Sequence, residues 1–117
     1  MGTFRFRARG VVREQDSGRP LASLLVQAYD KDLIFDDYLG SDTTDPNGHF
    51  EIQFTALQFQ DWTEQRPDVY LRIFDSSGKI ELCSTIRAVR RNAKSEEVFD
   101  IAIPAAKMRS IGISTEA

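Results

Sequence analysis

The sequence predicts an all-β domain, a seven-stranded antiparallel Greek-key β-sandwich. Apolar and polar residues alternate with period two in seven short segments, which is typical of strands with one buried face. Turn sequences rich in Gly, Pro, Asn, Asp and Ser separate these segments at short intervals. Helix-like spacing is almost absent, so two stacked sheets are the architecture that buries the apolar faces.

The pattern of each segment predicts its place in the sandwich. Residues 3–13 alternate phenylalanine and alanine with arginine, which predicts a half-buried strand with a solvated arginine face. Residues 24–29 are aliphatic on both faces, which favours a central strand. Tight turns are expected at residues 16–20, 45–48 and 76–79 because each contains a glycine that can adopt positive φ. The predicted strands are residues 3–13, 24–29, 38–44, 49–54, 68–75, 80–86 and 98–103.

Two segments lack a strand pattern. In residues 55–66, the side chains of Leu57, Phe59 and Trp62 are expected to close one end of the core from a short helical turn or an ordered loop. Residues 105–117 are weakly patterned, and we expect a tail that is mobile or depends on a partner. The domain organisation is therefore one sandwich over residues 1–104, followed by the tail 105–117.

Composition excludes several classes of function. A chain of 117 residues that is 41% hydrophobic and 28% charged is typical of one soluble globular domain. A net charge of −3 and a pI near 5.1 argue against nucleic-acid binding, which needs a basic surface. We see neither a secretory signal nor a run of about 18 apolar residues. A membrane partner is therefore not expected, and a cytoplasmic location is the default although the compartment is unknown.

Several short motifs follow one another in a recognisable order. They are Gly10-Val-Val, Gly18-Arg-Pro-Leu21, Leu25-Val-Gln-Ala-Tyr29, Leu39-Gly40, Thr44-Asp-Pro-Asn-Gly-His-Phe50 and Pro67-Asp-Val-Tyr70. In this order, over about residues 5–103, the chain resembles the transthyretin-like (prealbumin-like) and carboxypeptidase regulatory-like sandwich domains. The resemblance implies that the end of the second strand lies beside the start of the fifth, which would bring Asp68 near Asp30.

Two kinds of enzyme share related sandwiches, and each requires residues that this chain lacks. Hydroxyisourate hydrolases use several histidines and a C-terminal Tyr-Arg-Gly-Ser, whereas this chain has one histidine, His49, and ends in Ser-Thr-Glu-Ala. Intradiol dioxygenases bind iron through two tyrosines and two histidines. We interpret His49 as structural and the single Cys83 as a small apolar residue that is buried or half-buried. No catalytic residue is therefore predicted.

The densest chemical feature is a stretch with six aspartates in sixteen residues, Asp30, Asp32, Asp36, Asp37, Asp42 and Asp45, offset only by Lys31. Its Asp-x-Asp motif, the acidic residues that follow and the Leu-Gly pair together resemble one calcium-binding loop of C2 domains. Calcium takes six to eight oxygen ligands, which clustered aspartates and backbone carbonyls can supply. Two interpretations stay open: solvated turn-forming carboxylates, or a calcium site. The candidate ligands are Asp30, Asp32, Asp36, Asp37 and Asp68.

The outer face of the fifth predicted strand is a candidate contact surface. If its aliphatic residues face the core, its other side chains point outward beside the second strand. The resulting face contains Tyr29, Tyr70, Arg72 and Phe74, residue types that are enriched in interfaces. We expect a contact with a protein partner or a second copy in a homo-oligomer. Alternatively, residues 55–66 or the tail fold over this face within the monomer.

The function expected from the sequence is a non-enzymatic binding or adaptor module that contacts proteins, with calcium stabilising its acidic loop. One alternative is a C2-like module that binds membranes when calcium is present. A weaker alternative is an enzyme of the hydroxyisourate hydrolase type. A basic cluster formed by Arg87, Arg90, Arg91 and Lys94 is either a solvated loop or a dock for an anionic ligand or acidic partner.

Overall fold

The computed structural model describes residues 5–55 and 66–110. Within these ranges the chain forms two sheets of three and four strands, with strand orders β4-β1-β7 and β3-β2-β5-β6. The mostly-β, two-sheet sandwich predicted from the alternation is therefore confirmed. The strands are β1 (Arg5–Glu14), β2 (Leu25–Asp30), β3 (Asp37–Thr43), β4 (His49–Thr55), β5 (Val69–Phe74), β6 (Glu81–Ser84) and β7 (Glu96–Ile103).

One pair of strands differs from the prediction. β1 and β7 run parallel, with Arg7 opposite Glu96 and Val12 opposite Ile101, so the expectation of a purely antiparallel sandwich is wrong at this pair. The strand before β7 in the chain, β6, lies in the other sheet. The connection between them crosses from one sheet to the other, so no hairpin fixes the direction of β7.

The core lies between the two sheets and is built from the alternating residues of each strand. β1 shows the pattern most clearly, because every second residue from Phe6 to Glu14 is buried. The rings of Phe6 and Phe54 stack with their centroids 5.3 Å apart. The largest fully buried side chains include Leu24, Val26, Ile52, Val69, Leu71, Ile73 and Ile103.

Gly10 allows the close approach of β1 to β7. A Cβ at this position would lie 1.9 Å from the carbonyl oxygen of Phe99, far inside van der Waals contact. Only a residue without a side chain keeps the parallel pairing at this point.

Polar side chains order the turn between β3 and β4. Asp45 accepts hydrogen bonds from the backbone N–H groups of Asn47 (2.8 Å) and His49 (2.9 Å), and Gly48 adopts a φ of 76°. The buried hydroxyl of Thr44 donates to the carbonyl of Leu21 at 2.7 Å. The turn predicted at residues 45–48 is therefore present.

The packed domain extends beyond residue 104. A short helix, α1 (Ala105–Ser110), follows β7, and Met108 is 1% exposed within the core. Residues 111–117 of the expected tail lie outside the described residues, as do Leu57, Phe59 and Trp62 of the expected core plug. Among the described residues, no helix has the length and apolar character needed to cross a bilayer.

Candidate functional site

The connection between β2 and β3, residues 31–36, carries three consecutive apolar side chains that the core does not use. Leu33, Ile34 and Phe35 are 99%, 81% and 80% exposed, respectively. We call these three residues the tip, and residues 31–36 the β2–β3 loop. Single exposed apolar residues are ordinary on protein surfaces, whereas a contiguous apolar surface marks an interaction site or an aggregation hazard.

Hydrogen bonds attach the start of the β2–β3 loop to the sandwich. The backbone N–H of Lys31 donates to the carbonyl of Asp68 at 2.8 Å. In return, the backbone N–H of Asp68 donates to Oδ1 of Asp30 at 2.8 Å. The proximity of Asp30 and Asp68 expected from the family resemblance is therefore observed, because the end of β2 pairs with the start of β5.

Other hydrogen bonds close the loop around the tip. The backbone N–H of Asp32 donates to Oδ1 of Asp36 at 3.0 Å, across the three tip residues. The carboxylate of Asp32 accepts from the backbone N–H of Leu33 at 2.6 Å. The ammonium of Lys31 donates to the carbonyl of Asp32 at 3.2 Å and lies 3.6 Å from Oδ1 of Asp36. These contacts hold the tip away from the sandwich, so its exposure has a defined geometry.

A platform of aromatic rings supports the other end of the loop. Tyr29 stacks on Tyr70 with centroids 5.5 Å apart and meets Tyr38 edge-on at 5.8 Å. The hydroxyl of Tyr70 donates to Oδ2 of Asp36. The guanidinium carbon of Arg72 lies 5.7 Å from the centre of the Tyr29 ring. Asp36 is therefore held from both sides, by the loop backbone and by the platform.

The predicted contact face is assembled, but its largest rings are not open to solvent. Tyr29 lies opposite Tyr70 on adjacent strands, as expected. Tyr70 is 4% exposed and Phe74 is 8% exposed. Tyr70 lies beneath Tyr29 and the β2–β3 loop, and the Arg72 guanidinium carbon lies 5.1 Å from the centre of the Phe74 ring. Of the four predicted residues, Tyr29 and Arg72 are the less buried, and the interface role of the four stays a prediction.

The carboxylates of Asp30 and Asp36 have opposite shifts in pKa. Partial burial raises the pKa of Asp30 to about 6, and the negative charges of Asp68, Asp37 and Asp32 add to this rise. Burial also opposes ionisation of Asp36, but hydrogen bonds from Asp32 and Tyr70 and the charge of Lys31 hold its pKa below the usual range. Ionised Asp36 is therefore a stable anchor, whereas Asp30 changes charge in the mildly acidic range.

The candidate calcium ligands make hydrogen bonds within the protein. Asp68 accepts from the backbone N–H of Asn92 at 2.9 Å and from Nη1 of Arg91 at 3.3 Å. Asp30, Asp32 and Asp36 accept from backbone groups as described above. Over residues 5–55 and 66–110, no group of three or more His, Cys, Asp or Glu side chains is arranged to hold a metal ion. The calcium site, including Asp37 as a ligand, stays a prediction.

The remaining polar candidates lie apart from the loop or are paired. The His49 side chain is 60% exposed, with Nδ1 4.0 Å from Oδ2 of Asp45. Burial raises the pKa of the Cys83 thiol to about 11, the opposite of what an activated nucleophile requires. In the basic cluster, Arg90 pairs with Glu97 at 2.9 Å. Arg91 pairs with Asp68, as described above.

The opposite sheet presents an open groove of about 850 Å³, lined in part by Arg9 and Arg13 of β1. The arginine face expected on β1 is present there. Nη1 of Arg7 lies 3.3 Å from Oε1 of Glu51, and its Nη2 lies 3.0 Å from Oε2 of Glu96. Nε of Arg13 lies 3.0 Å from Oδ1 of Asp100. This face is a ladder of exposed ion pairs, which contribute little to stability individually.

Comparison with known proteins supports the fold and assigns no activity. No protein-family model and no curated protein matches this chain. The 9R-lipoxygenase from Cyanothece PCC8801 is 23% identical with a TM-score of 0.63, over 86% of this chain and 16% of the lipoxygenase chain. At this identity the likeness establishes the sandwich fold alone, and our chain spans only that small share of the lipoxygenase's length.

Two further structures are less similar. The dioxygenase domain of a dioxygenase–carbohydrate-binding protein fusion from Streptomyces sp. SirexAA-E is 13% identical, with a TM-score of 0.49 over 88% of this chain and 81% of that one. The chlorocatechol 1,2-dioxygenase from Pseudomonas putida has the same identity and TM-score, over 87% and 61%.

Sequence reasoning identified the loop but missed its tip. The aspartates of the loop predict a metal site, and that prediction assigns no function to the apolar residues between them. The available signal was Leu33-Ile34-Phe35 itself: three apolar residues in a row, between aspartates, where neither strand alternation nor turn chemistry requires them.

Proposed function

We propose that this chain is a non-enzymatic binding module that docks onto a protein partner through the tip of its β2–β3 loop. The observation that carries the proposal is the 80–99% exposure of Leu33, Ile34 and Phe35 on one loop. A folded monomer gains nothing from three such side chains in water. Burial in a partner would contribute about 1.5–3 kcal/mol for each of them.

The hydrogen bonds that hold the β2–β3 loop in shape strengthen this proposal. Binding costs free energy when mobile segments must be ordered, and a loop already held in shape avoids part of that cost. Here the hydrogen bond from Asp32 to Asp36 closes the loop, and the one from Lys31 to Asp68 fixes it to β5. The tip therefore loses less conformational freedom on binding than an unrestrained loop would.

The chemistry of Cys83 and His49 supports a non-enzymatic role. The Cys83 thiol is half-buried with a raised pKa, and the imidazole Nδ1 of the exposed His49 lies 4.0 Å from Oδ2 of Asp45, beyond hydrogen-bond distance. Neither residue forms the nucleophile and base pair that hydrolysis requires.

We also propose that the sandwich belongs to the transthyretin-like group. The strand orders β4-β1-β7 and β3-β2-β5-β6, and the pairing of β2 with β5 that brings Asp30 to Asp68, support this assignment. Greek-key connectivity is part of the same proposal.

A second candidate is the calcium-dependent membrane-binding module, which the same tip favours because apolar side chains can also enter a lipid layer. The flanking carboxylates would repel an anionic surface unless a cation neutralised them. This candidate predicts that the protein sediments with anionic liposomes when calcium is present and stays in solution when calcium is chelated.

Site-specific photo-crosslinking in the native host tests the proposed function. A benzophenone amino acid at position 34 should give a discrete protein adduct, because the tip enters the partner. The same amino acid at position 80 is the matched control, since Ile80 is also an exposed apolar residue, at 47%, but lies in the turn between β5 and β6. Adducts at both positions, or at neither, would contradict the proposal.

A further inference from the structure

We infer that the surface receiving the tip is an apolar pocket bordered by positively charged side chains. This inference rests on the proposed function and adds the chemistry of the partner. It follows from the shape of the β2–β3 loop and from the charges on either side of the tip.

The shape of the loop favours a concave partner. The hydrogen bond from Asp32 to Asp36 spans only the three tip residues, so the apolar surface is narrow and projects from the sandwich. Leu33 is 99% exposed, which leaves nearly its whole side chain available to be surrounded. A flat surface would bury one side of such a projection, whereas a pocket buries most of it.

The charges favour a basic border. Asp30 and Asp32 precede the tip, and Asp36 and Asp37 follow it, so a pocket that encloses the tip brings its border close to four carboxylates. The single cation among them, Lys31, lies 3.6 Å from the carboxylate of Asp36 and contacts only the backbone carbonyl of Asp32. Charges this close are not fully screened by physiological salt, so a neutral or acidic border would leave them desolvated or repelled.

Other surfaces that could receive the tip fit its shape and charge less well. An anionic membrane surface would repel the same carboxylates. In a second copy of this chain, three of the β1 arginines are already matched by carboxylates of their own sheet: Arg7 by Glu51, Arg9 by Glu96 and Arg13 by Asp100. A protein that supplies lysine or arginine around an apolar pocket satisfies both the shape and the charge.

A labelled helical peptide with leucines on one face and lysines at its borders probes the apolar and basic character inferred for the partner. Fluorescence anisotropy should show that the protein binds this peptide more tightly than a matched leucine–glutamate peptide, by about tenfold or more. Raising the salt from about 0.05 M to about 0.5 M should weaken the binding several-fold. Replacing all three tip residues by Ser should weaken it by about tenfold or more.

Matched variants separate the two parts of the inference. Ile80→Ser removes an exposed apolar side chain from a different turn and should leave peptide affinity unchanged. Asp32→Asn and Asp37→Asn together should weaken binding about threefold to tenfold and reduce its salt dependence, while the tip stays intact. Melting temperatures confirm that each variant is folded.

The inference is overturned if the lysine and glutamate peptides bind equally, or if the tip substitutions leave the affinity unchanged. It is also overturned if the tip drives binding to phosphatidylcholine vesicles while the lysine peptide does not bind, since lipid would then be the occupant. If position 34 gives its protein adduct but the peptides show no charge preference, this inference fails and the proposed function stands.

Discussion

The half-buried carboxylate of Asp30 predicts a pH dependence of stability that a single substitution should remove. Its pKa is raised to about 6 from an ordinary value of 3.8, first of all because burial disfavours the charged form. Between these two pH values the folded protein holds a proton that the unfolded chain releases. The stability contributed by this proton is fully present below about pH 4 and is lost as the pH rises through about 6.

The magnitude follows from the shift. A rise of roughly two pKa units corresponds to at most about 3 kcal/mol at about 1.36 kcal/mol per unit. Because Asp30 is only half-buried, solvent screening reduces this to about 1 kcal/mol. Asp30→Asn removes the charge and keeps an oxygen that can accept the hydrogen bond from Asp68. The variant should therefore be about 1 kcal/mol more stable than the original protein at about pH 8, and nearly equal to it at about pH 4.

Urea denaturation at several pH values measures this difference. Asp16→Asn is the matched control, because Asp16 is exposed in the turn after β1, at the other end of the sandwich. It removes the same charge and should give no comparable pH-dependent gain. The reasoning would be refuted if Asp30→Asn destabilised the protein equally at every pH, which would show that the carboxylate stabilises the fold in its charged form.

Three further predictions concern the core and the loop. Gly10→Ala should destabilise the protein by about 3 kcal/mol or more in urea denaturation, because its Cβ would lie 1.9 Å from the carbonyl oxygen of Phe99; a smaller loss would mean that β1 and β7 can separate at low cost. Thr44→Val should cost about 1–3 kcal/mol, because the buried hydroxyl donates to the carbonyl of Leu21 and accepts from the N–H of Leu24, and a neutral effect would show that these groups find other partners. If calcium stabilises the β2–β3 loop, millimolar calcium should raise the melting temperature and magnesium should not; no shift would end the calcium hypothesis.

Most of the fold could be predicted because strand alternation is a local property of the sequence. The alternation in residues 3–13 gave the buried face of β1, and the glycine turns gave the positions of the reversals. The direction of β7 could not be predicted in this way. Its pairing with β1 joins residues about 90 positions apart, and alternation carries no information on which way a strand runs.

The candidate site could be predicted only in part, for a physical reason. The placement of Asp68 beside Asp30 followed from the family resemblance. The burial of Tyr70 could not be predicted from the sequence, because alternation shows which side of a sheet a residue lies on and not what covers that side. Here Asp36 of the β2–β3 loop accepts the hydrogen bond from the Tyr70 hydroxyl, while Leu33 of the same loop stays exposed. Neither result follows from local pattern alone.

The rate at which a thiol-specific reagent modifies a cysteine at position 34 tests the exposure of the tip most directly. In a Cys83→Ala background, Ile34→Cys should react in the native protein nearly as fast as in the urea-unfolded chain, because the native side chain is 81% exposed. Cys83 in the original protein should react far more slowly, since burial raises its pKa to about 11. Strong protection of the cysteine at position 34 in the native state would contradict the account, because the tip would then be packed within the monomer and could not meet a partner.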